Sequence, residues 1–277
     1  MIEVSVIIPT YNRKERLRKA IESVLQQREV VLELIVIDDG STDGTRQMIE
    51  KDFPSVQYFF QTNQGPAAAR NRGIERAHGP WIAFLDSDDV WLDGKLKAQL
   101  DFFRKSPDYR IAQTEEIWIR NGRRVNPMKK HQKPGGFIFE KCLPLCVISP
   151  SAVMMHRSLF EEIGLFNESL PACEDYDLWL RMAAKYPIGL IQKPYVMRYG
   201  GHKDQRSHQF PAMDQFRIRS LVKILDSALL SEDQAAAARK TLEEKSKIYL
   251  QGARKRGRFN EVQKIQTLLN QKVPGTF

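Results

Sequence analysis

Short apolar runs alternate with amphipathic stretches along the first third of the chain. The runs are rich in β-branched residues, as buried parallel strands are, and cover residues 2–8, 32–37, 56–60 and 81–85. Between them, apolar side chains recur at helical spacing. In the first such stretch one face carries Leu17, Ala20, Ile21, Val24 and Leu25. This alternation predicts a parallel sheet with right-handed helical crossovers.

The pattern changes after Trp91. We expect a helix over residues 95–105 and a strand over residues 111–120. The pair Asn121-Gly122 then predicts a hairpin turn after this strand. Further strands are predicted at 151–156 and 195–199, with a basic loop at 128–136 and a helix from Glu174. From Asp214 onward the pattern is helical throughout.

Polar residues gather where the predicted strands end. Three carboxylates, Asp86, Asp88 and Asp89, directly follow the apolar run that ends at Leu85. In open α/β sheets, ligands lie just beyond the carboxyl ends of the strands. Carboxylates this close repel one another, so the cluster needs a cation, a basic partner or raised pKa values. The alternative is structural, because an aspartate here could cap the helix that begins near Lys95.

Composition sets wider limits on function. The 277 residues carry a formal charge of +9 and a pI of about 9.4, which suits anionic partners or simply a solvated basic surface. Three cysteines without a Cys-x-x-Cys pair predict neither a disulfide framework nor a zinc knuckle. With no signal peptide and no apolar run of ~20 residues, we expect a cytoplasmic protein, and peripheral contact with the inner face of the membrane stays open.

Five short motifs follow one another along residues 2–198: VSVIIPTYN at 4–12, IDDGSTD at 37–43, NQG with ARNRG at 63–73, LDSDD at 85–89 and EDYDLW at 174–179. Each motif is weak alone. In this order they resemble family 2 glycosyltransferases, and LDSDD is similar to the Asp-x-Asp motif of that family. Residues after about 214 lie outside the resemblance.

The resemblance implies the α/β GT-A fold, a Rossmann-like and mainly parallel sheet flanked by helices. It would span residues 1–212, with a nucleotide-binding half in 1–92 and an acceptor-binding half in 93–212. Residues 213–277 would form a basic helical C-terminal extension, which either packs on the domain or contacts a phosphate-rich membrane. The implied activity is inverting transfer of a sugar from a nucleotide-sugar donor, by default a UDP-sugar, to a saccharide or lipid-linked acceptor of cell-surface polysaccharide or lipopolysaccharide.

The resemblance also implies roles for individual residues. The donor would be bound by Pro9, Thr10, Tyr11, Asp39, Asn63, Arg70, Asp86 and Ser87. Asp88 and His202 would hold Mn²⁺ or Mg²⁺, which suit hard oxygen ligands and diphosphate. Asp175 would be the catalytic base. Glu174, Trp179 and Arg206 would belong to the acceptor side or to a closing loop.

Structural alternatives stay open for several of these residues. Asp39 could cap the second helix, and Glu174 could cap its own helix while Asp177 acts as the base. Tyr11 and Trp179 could be ordinary packing residues. A histidine in a loop is more often not a metal ligand, and an arginine such as Arg70 often lies on a helix surface.

Other functions fit the sequence less well. A nucleotidyltransferase would also use carboxylates and metal, but no Gly-rich, basic loop follows the first strand. A non-catalytic nucleotide- or glycan-binding module is disfavoured because Asp88 and Asp175 are both present. A nucleic-acid binder is not expected, since the chain contains no recognition motif.

Overall fold

The computed structural model describes residues 1–202, 209–210 and 212–272. For residue 272 it describes the backbone but not the side chain. Within these residues, nine strands form one sheet in the order β3-β2-β1-β4-β8-β6-β9-β5, and β7 pairs with β6. The strands are β1 (Val4–Thr10), β2 (Leu32–Asp38), β3 (Gln57–Phe60), β4 (Trp81–Phe84), β5 (Val90–Trp91), β6 (Ile111–Arg120), β7 (Arg123–Val125), β8 (Val153–His156) and β9 (Gly189–Gly200).

The helices that connect and cover these strands are α1 (Lys14–Leu25), α2 (Thr45–Asp52), α3 (Pro66–Arg76), α4 (Lys95–Lys105), α5 (Phe139–Cys142), α6 (Ser158–Ile163), α7 (Glu174–Lys185), α8 (Asp214–Leu225), α9 (Glu232–Lys255) and α10 (Phe259–Lys272). Short 3-10 turns occur at Lys129–His131 and Pro150–Ala152. No helix in the described ranges is both long enough and apolar enough to cross a membrane.

The first half of the sheet is parallel, as the sequence predicts. β1 lies between β2 and β4 and pairs in parallel with both, and β2 pairs in parallel with β3. In this register Thr10 lies opposite Asp38, the last residue of β2. The polar residues that follow these strands therefore meet at one edge of the sheet.

The second half makes the sheet mixed. β8 pairs antiparallel with both β4 and β6, while β6 and β9 pair in parallel. β9 begins at Gly189, earlier than the expected 195, because irregular pairing of β6 between Thr114 and Glu116 accommodates the interruption around Pro194. The two-residue strand β5 was not predicted, since Val90-Trp91 is too short to show an alternating pattern.

Alternate residues of the central strands face two apolar layers. Val6 and Ile8 pack with α1, α2 and α4 on one face of the sheet, as the helical pattern predicts, except that Leu25 is 45% exposed. Ile7 and Phe84 point to the other face. There they share one core with α3, α7 and the C-terminal helices α8 to α10, so the C-terminal helices pack directly on the sheet domain.

Candidate active site

The carboxyl ends of β1 and β2 meet at the centre of the polar edge. The Asp39 amide donates to the Thr10 carbonyl at 2.9 Å and extends the pairing by one residue. The Asp38 carboxylate is tied on both sides, because it accepts from the Tyr58 hydroxyl at 2.7 Å and from the Ser41 amide at 2.8 Å. Asp38 therefore fixes the turn, while Asp39 faces the next loop.

Asp39 organises the loop between β3 and α3. Its buried carboxylate accepts from Gln61 Nε2 and from the amides of Gln64 and Gly65, each at 2.8 Å. Asn63 Nδ2 donates to the Asp39 carbonyl at 2.9 Å. Two residues expected to bind the donor, Asp39 and Asn63, are therefore joined, with the Asn63 side chain exposed at the edge.

The helix cap that sequence reasoning left open for Asp39 is made by Asp43. Asp43 Oδ1 accepts from the amide of Thr45 at 3.1 Å and from its hydroxyl at 2.6 Å, and Asp43 Oδ2 accepts from the Lys14 amide at 2.9 Å. Burial alone would raise the pKa of Asp43, but these hydrogen bonds outweigh it and lower the pKa. Asp39 is thus free of a capping role.

The turn after β1 brings the other expected donor residues together. Pro9 and Thr10 are buried, whereas Tyr11 is 50% exposed beside them. Asn12 adopts a left-handed backbone with φ of 49° and donates its amide to Ser41 Oγ at 2.8 Å, which joins the β1 and β2 loops. Among the described residues, Thr10 Oγ1 has no hydrogen-bond partner although it is buried.

Asp86 and Ser87 follow β4 at the same edge. The Asp86 amide donates to Ser151 Oγ at 3.1 Å, and Asp86 Oδ1 accepts from Arg70 Nη2 at 2.8 Å. Its side chain remains 31% exposed, so one face of the carboxylate is open to a ligand. Ser87 is buried.

Asp88 lies between two basic side chains. Asp88 Oδ2 is 3.0 Å from Arg13 Nη1 and 2.8 Å from His202 Nε2. Burial would raise the pKa of Asp88, but the hydrogen bond with His202 and the charge of Arg13 outweigh it and hold the pKa below its ordinary value. Asp88 is therefore an ionised carboxylate with an imidazole at ligand distance.

This pair fits a divalent cation. Two ligands bound to one ion at about 2.0 to 2.2 Å can lie close to 3 Å apart, and the two atoms of Asp88 and His202 are 2.8 Å apart. A carboxylate oxygen and an imidazole nitrogen together suit Mn²⁺ better than Ca²⁺. Within the described ranges, no cluster of three or more His, Cys, Asp or Glu could hold a metal by itself, so a bound ion would need further ligands from elsewhere.

The Asp89 carboxylate has a structural role and does not face the site. Its buried carboxylate accepts from Ser151 Oγ at 2.6 Å and from the Tyr199 amide at 3.0 Å. Burial and the charges of Asp88 and Asp86 raise the pKa of Asp89 well above its ordinary value. Asp89 thereby ties the loop after β4 to β9.

Arg70 is a buried bridge and not a helix-surface residue. Its guanidinium donates to Asp86 through Nη2 and to Glu174 Oε1 through Nη1 at 2.7 Å, and it lies 5.4 Å from the Phe166 ring centroid. Burial would lower the pKa of Arg70, but the charges of Asp86 and Glu174 outweigh it and raise the pKa. The bridge fixes the first residue of α7 beside Asp86 of the LDSDD motif.

Asp175 is the half-buried second residue of α7. Its Oδ1 accepts from the amide of Tyr176 at 2.7 Å, and its Oδ2 lies 3.5 Å from the Cys146 thiol. Burial and the charge of Asp175 raise the pKa of Cys146, so that side chain stays a neutral thiol. Asp175 has no basic partner within ion-pair distance in the described part of the chain, so no ion pair there competes for a proton at its carboxylate.

Two other residues of the same motif are structural. Asp177 is buried and pairs with Arg181 Nη2 at 2.8 Å, so its carboxylate is already used. Trp179 is 1% exposed, and its ring packs edge-on against Phe166 at 6.1 Å. The burial of Trp179 favours a packing role in the core over a role at the acceptor side. Because Asp177 is paired with Arg181, Asp175 is the better candidate for the base.

Sequence reasoning missed three residues of the site. Arg13 pairs with Asp88, and its place in the loop directly after the first motif could have suggested this. Ser151 contacts both Asp86 and Asp89, and Arg198 of β9 interacts with their charges. No local pattern marks these last two. Arg206, expected in a closing loop, lies outside the described residues.

The comparisons with known proteins agree with this arrangement. The profile of "Glycosyl transferase family 2" matches residues 5–164, more than half of the chain. The chain belongs to glycosyl transferase family 2. The match ends before α7, so Asp175 lies beyond it.

Named relatives extend the similarity. An uncharacterized glycosyltransferase of Rickettsia felis is 39% identical over 193 residues, which cover 69% of this chain and 32% of that protein. This chain spans about a third of the length of three Rickettsia glycosyltransferases that it matches. The Escherichia coli protein WfgD, named a UDP-Glc:alpha-D-GlcNAc-diphosphoundecaprenol beta-1,3-glucosyltransferase, is 34% identical over 196 residues, or 70% of this chain and 74% of that one.

The fold also matches solved structures. TarS residues 1–349 of S. aureus, in complex with UDP-GlcNAc, superposes with a TM-score of 0.71 at 23% identity, covering 88% of this chain and 71% of that one. The structural neighbours are GT-A glycosyltransferases, which confirms the GT-A fold. At this identity the comparison supports the fold alone.

Proposed function

We propose that this protein is an inverting, metal-dependent glycosyltransferase that moves a sugar from a UDP-sugar to a saccharide or lipid-linked acceptor of a cell-surface glycan. The relative WfgD is named for a UDP-sugar donor and a diphospho-lipid acceptor, which supports both choices. The observation that carries the proposal is the Arg70 bridge. It places the start of α7, which bears Asp175, beside Asp86 and hence beside the donor-side carboxylates.

The donor would lie along the polar edge of the sheet. The exposed ring of Tyr11 and the loop held by Asp39 would contact the nucleoside. The open face of Asp86 would accept hydrogen bonds from ribose or sugar hydroxyls. Asp88 and His202 would hold Mn²⁺ or Mg²⁺, and the bound ion would stabilise negative charge on the nucleoside diphosphate.

Asp175 would act as the general base. As the acceptor hydroxyl oxygen attacks the anomeric carbon, its proton passes to the Asp175 carboxylate. The bond from the anomeric carbon to the phosphate oxygen breaks on the opposite side, and its electron pair leaves with the nucleoside diphosphate. Attack opposite to the leaving group inverts the anomeric centre. The Cys146 thiol and the Tyr176 amide hold the carboxylate in place.

The basic C-terminal helices are a candidate for peripheral membrane contact. Exposed Arg254, Lys255 and Arg256 lie where α9 ends, and the exposed side chain of Phe259 follows at the start of α10. Cations beside an exposed aromatic ring are suited to an anionic lipid surface. Such contact would keep the enzyme at the inner face of the membrane, where a lipid-linked acceptor is available.

Calorimetric titration with UDP, GDP, CDP, dTDP and ADP, each with and without Mn²⁺, tests the donor. We expect UDP to bind in a metal-dependent manner. Asp175→Asn should keep this binding and lose sugar transfer, because the amide cannot take the proton. If the chain binds none of the nucleotides, the proposal is wrong and a non-catalytic binding module takes its place. If Asp175→Asn transfers sugar at the wild-type rate, the protein is a transferase but Asp175 is not its general base.

A further inference from the structure

One stretch of the acceptor-binding half is strongly basic. Residues 117–139 contain six lysines and arginines and no aspartate or glutamate. We call residues 120–133 the basic loop. It includes the β6–β7 hairpin and the 3-10 turn after it, and its exposed cations are Arg120, Arg123, Arg124, Lys129 and Lys130.

No acidic side chain in the described part of the chain pairs with these five cations. Among the described residues none of them forms an ion pair, although Lys133 of the same loop is buried 3.3 Å from Glu116 Oε1. Like charges gathered on a short hairpin repel one another. An anion bound there would relieve that repulsion.

The basic loop is anchored next to β9. Trp118 donates its indole N–H to Glu116 Oε2 at 3.0 Å, and the His131 ring lies 5.2 Å from the Trp118 ring. The guanidinium groups of Arg120 and Arg198 lie 5.7 Å and 5.3 Å from the centroid of the same ring. The loop is therefore folded back onto Arg198 rather than projecting away from the domain.

Arg198 connects the basic loop with the active site. It precedes Tyr199, whose amide donates to Asp89, and its charge interacts with Asp86 and Asp89 as well as with Glu116. Half of the Arg198 side chain is exposed, at 46%. A path of basic surface thus begins beside the donor carboxylates and continues to the hairpin.

The same stretch also exposes two large apolar side chains. Met128 is 61% exposed within the loop, and Phe137 is 80% exposed just after it. Cations next to exposed apolar groups match a ligand that has both phosphates and a hydrocarbon chain.

We propose that the basic loop binds the phosphate groups of a lipid-linked acceptor, with its cations on the phosphates and Met128 and Phe137 against the first part of the lipid. This inference rests on the proposed function, since it describes the acceptor of that reaction. Docking of the loop on a membrane surface would use the same side chains. The electrostatic interaction of Arg198 with Asp86 and Asp89 favours the acceptor, because a surface used only for docking has no need of that connection.

The test uses farnesyl diphosphate as the probe, with the full-length protein saturated in UDP and Mn²⁺ so that the donor site is filled. Binding is measured by calorimetry for the wild type and for a variant with Arg123→Ser, Arg124→Ser, Lys129→Ser and Lys130→Ser. A matched control removes four exposed cations elsewhere, with Lys19→Ser, Arg28→Ser, Lys51→Ser and Lys105→Ser. Thermal unfolding confirms that both variants fold.

We expect the loop variant to bind the diphosphate about tenfold more weakly than the wild type or worse, because it loses four cations that can form charge-assisted hydrogen bonds to the phosphates. The control should bind like the wild type. Added salt should weaken binding more for the wild type than for the loop variant. Equal affinity of the loop variant and the wild type would overturn the proposal.

Two further measurements separate the alternatives. Co-sedimentation with vesicles of phosphatidylglycerol and phosphatidylcholine tests docking. If the loop variant loses vesicle binding but keeps farnesyl diphosphate binding, the loop is a docking surface and the proposal is overturned. UDP affinity is measured first in every variant. Normal UDP binding with unchanged diphosphate binding rejects only the acceptor proposal, whereas absent UDP binding in the wild type rejects the proposed function itself.

Discussion

Arg70 and Glu174, 104 residues apart in the sequence, form a buried ion pair in which Arg70 Nη1 lies 2.7 Å from Glu174 Oε1. The other terminal nitrogen of the same guanidinium contacts Asp86. One guanidinium therefore pairs with a carboxylate from each half of the site. Because both contacts are short and largely buried, α7 cannot move relative to the LDSDD motif without breaking one of them.

Replacing Arg70 should damage activity and stability together. Arg70→Ala leaves the buried Glu174 carboxylate without a partner, which costs about 3–5 kcal/mol of unfolding free energy. We expect kcat/KM to fall about 100-fold as well, because Asp175, the candidate base on α7, loses its position. Denaturant unfolding and steady-state kinetics measure the two effects.

A double variant separates the two effects of Arg70. Arg70→Ala with Glu174→Gln removes the unpaired charge, so most of the stability should return, while kcat/KM should stay low because Asp86 still lacks its partner. Recovery of full activity in the double variant would show that Arg70 has no positioning role.

Adjacent carboxylates should respond differently to the same substitution. Asp88→Asn should abolish the metal-dependent part of UDP binding, since Asp88 lies 2.8 Å from His202 and is the expected metal ligand. Asp89→Asn should keep that binding and lose about 1 kcal/mol of stability, because its oxygens serve Ser151 and Tyr199. Calorimetric titration with UDP, with and without Mn²⁺, measures this binding in both variants. An equal loss of metal-dependent UDP binding in both would contradict the assignment of Asp88 as the metal ligand.

Glu33 should make the fold sensitive to acid. Its buried carboxylate accepts from Ser5 Oγ at 2.5 Å, from Gln57 Nε2 at 2.8 Å and from the His78 amide at 2.6 Å. Burial alone would raise the pKa of Glu33, but these hydrogen bonds outweigh it and lower the pKa from 4.5 to about 2.

A lowered pKa means that the folded state prefers the ionised form. The resulting stabilisation, on the order of 3 kcal/mol at 1.36 kcal/mol per pKa unit, is complete above about pH 5 and is lost as the pH falls from 4.5 towards 2. The difference in unfolding free energy between the wild type and Glu33→Gln should therefore be largest near neutral pH and shrink over that interval. A difference that does not change between pH 7 and pH 2.5 would refute this role.

The buried side chain of Lys95 lowers the stability of the fold when it is charged. Its ammonium lies 4.0 Å from the Trp91 ring centroid and donates to Gln99 Oε1 at 2.7 Å, and burial, with the charge of Lys133, lowers its pKa well below the ordinary value. Folding therefore disfavours the charged form at neutral pH.

Lys95→Met should increase stability at pH 7, because the apolar side chain fills the same space without a desolvation cost. The gain should shrink as the pH rises towards 10.5, where the unfolded lysine also becomes neutral. Lys97→Met on the exposed side of the same helix is the control and should change stability by less than about 0.5 kcal/mol. A destabilised Lys95→Met would mean that the hydrogen bond to Gln99 is the dominant effect.

The parallel half of the fold was predictable because its strands are continuous apolar runs. Residues 32–37 and 81–85 read directly as buried strands, and the polar residues after them mark the site. The mixed half was harder. β9 contains Gln192, Lys193 and Pro194 in its middle, and its pairing depends on irregularities in a distant strand that no local pattern reveals.

Site residues were predictable when they lie in a motif, and their partners were not. Asp86 and Asp88 follow a strand, so their position could be inferred. The contact of Arg70 with Glu174 joins helices from opposite halves of the chain, and the role of Ser151 depends on a 3-10 turn beside β8. Such contacts arise from the tertiary packing and leave no periodic signal.

The C-terminal helices α8 to α10 are part of the folded core that supports the candidate active site. The apolar faces of α8 and α9 contribute Leu221 and Leu242 to the same core as Trp179 of α7. A chain cut at residue 212 would expose those apolar surfaces, at roughly 1.5–3 kcal/mol for each large side chain uncovered. The helix that carries the candidate base would then lose its support. The smallest part of the protein that can fold with its core intact is therefore longer than residues 5–164, which match the family profile. The helices α8 to α10, outside that match, support the helix that carries the proposed catalytic group.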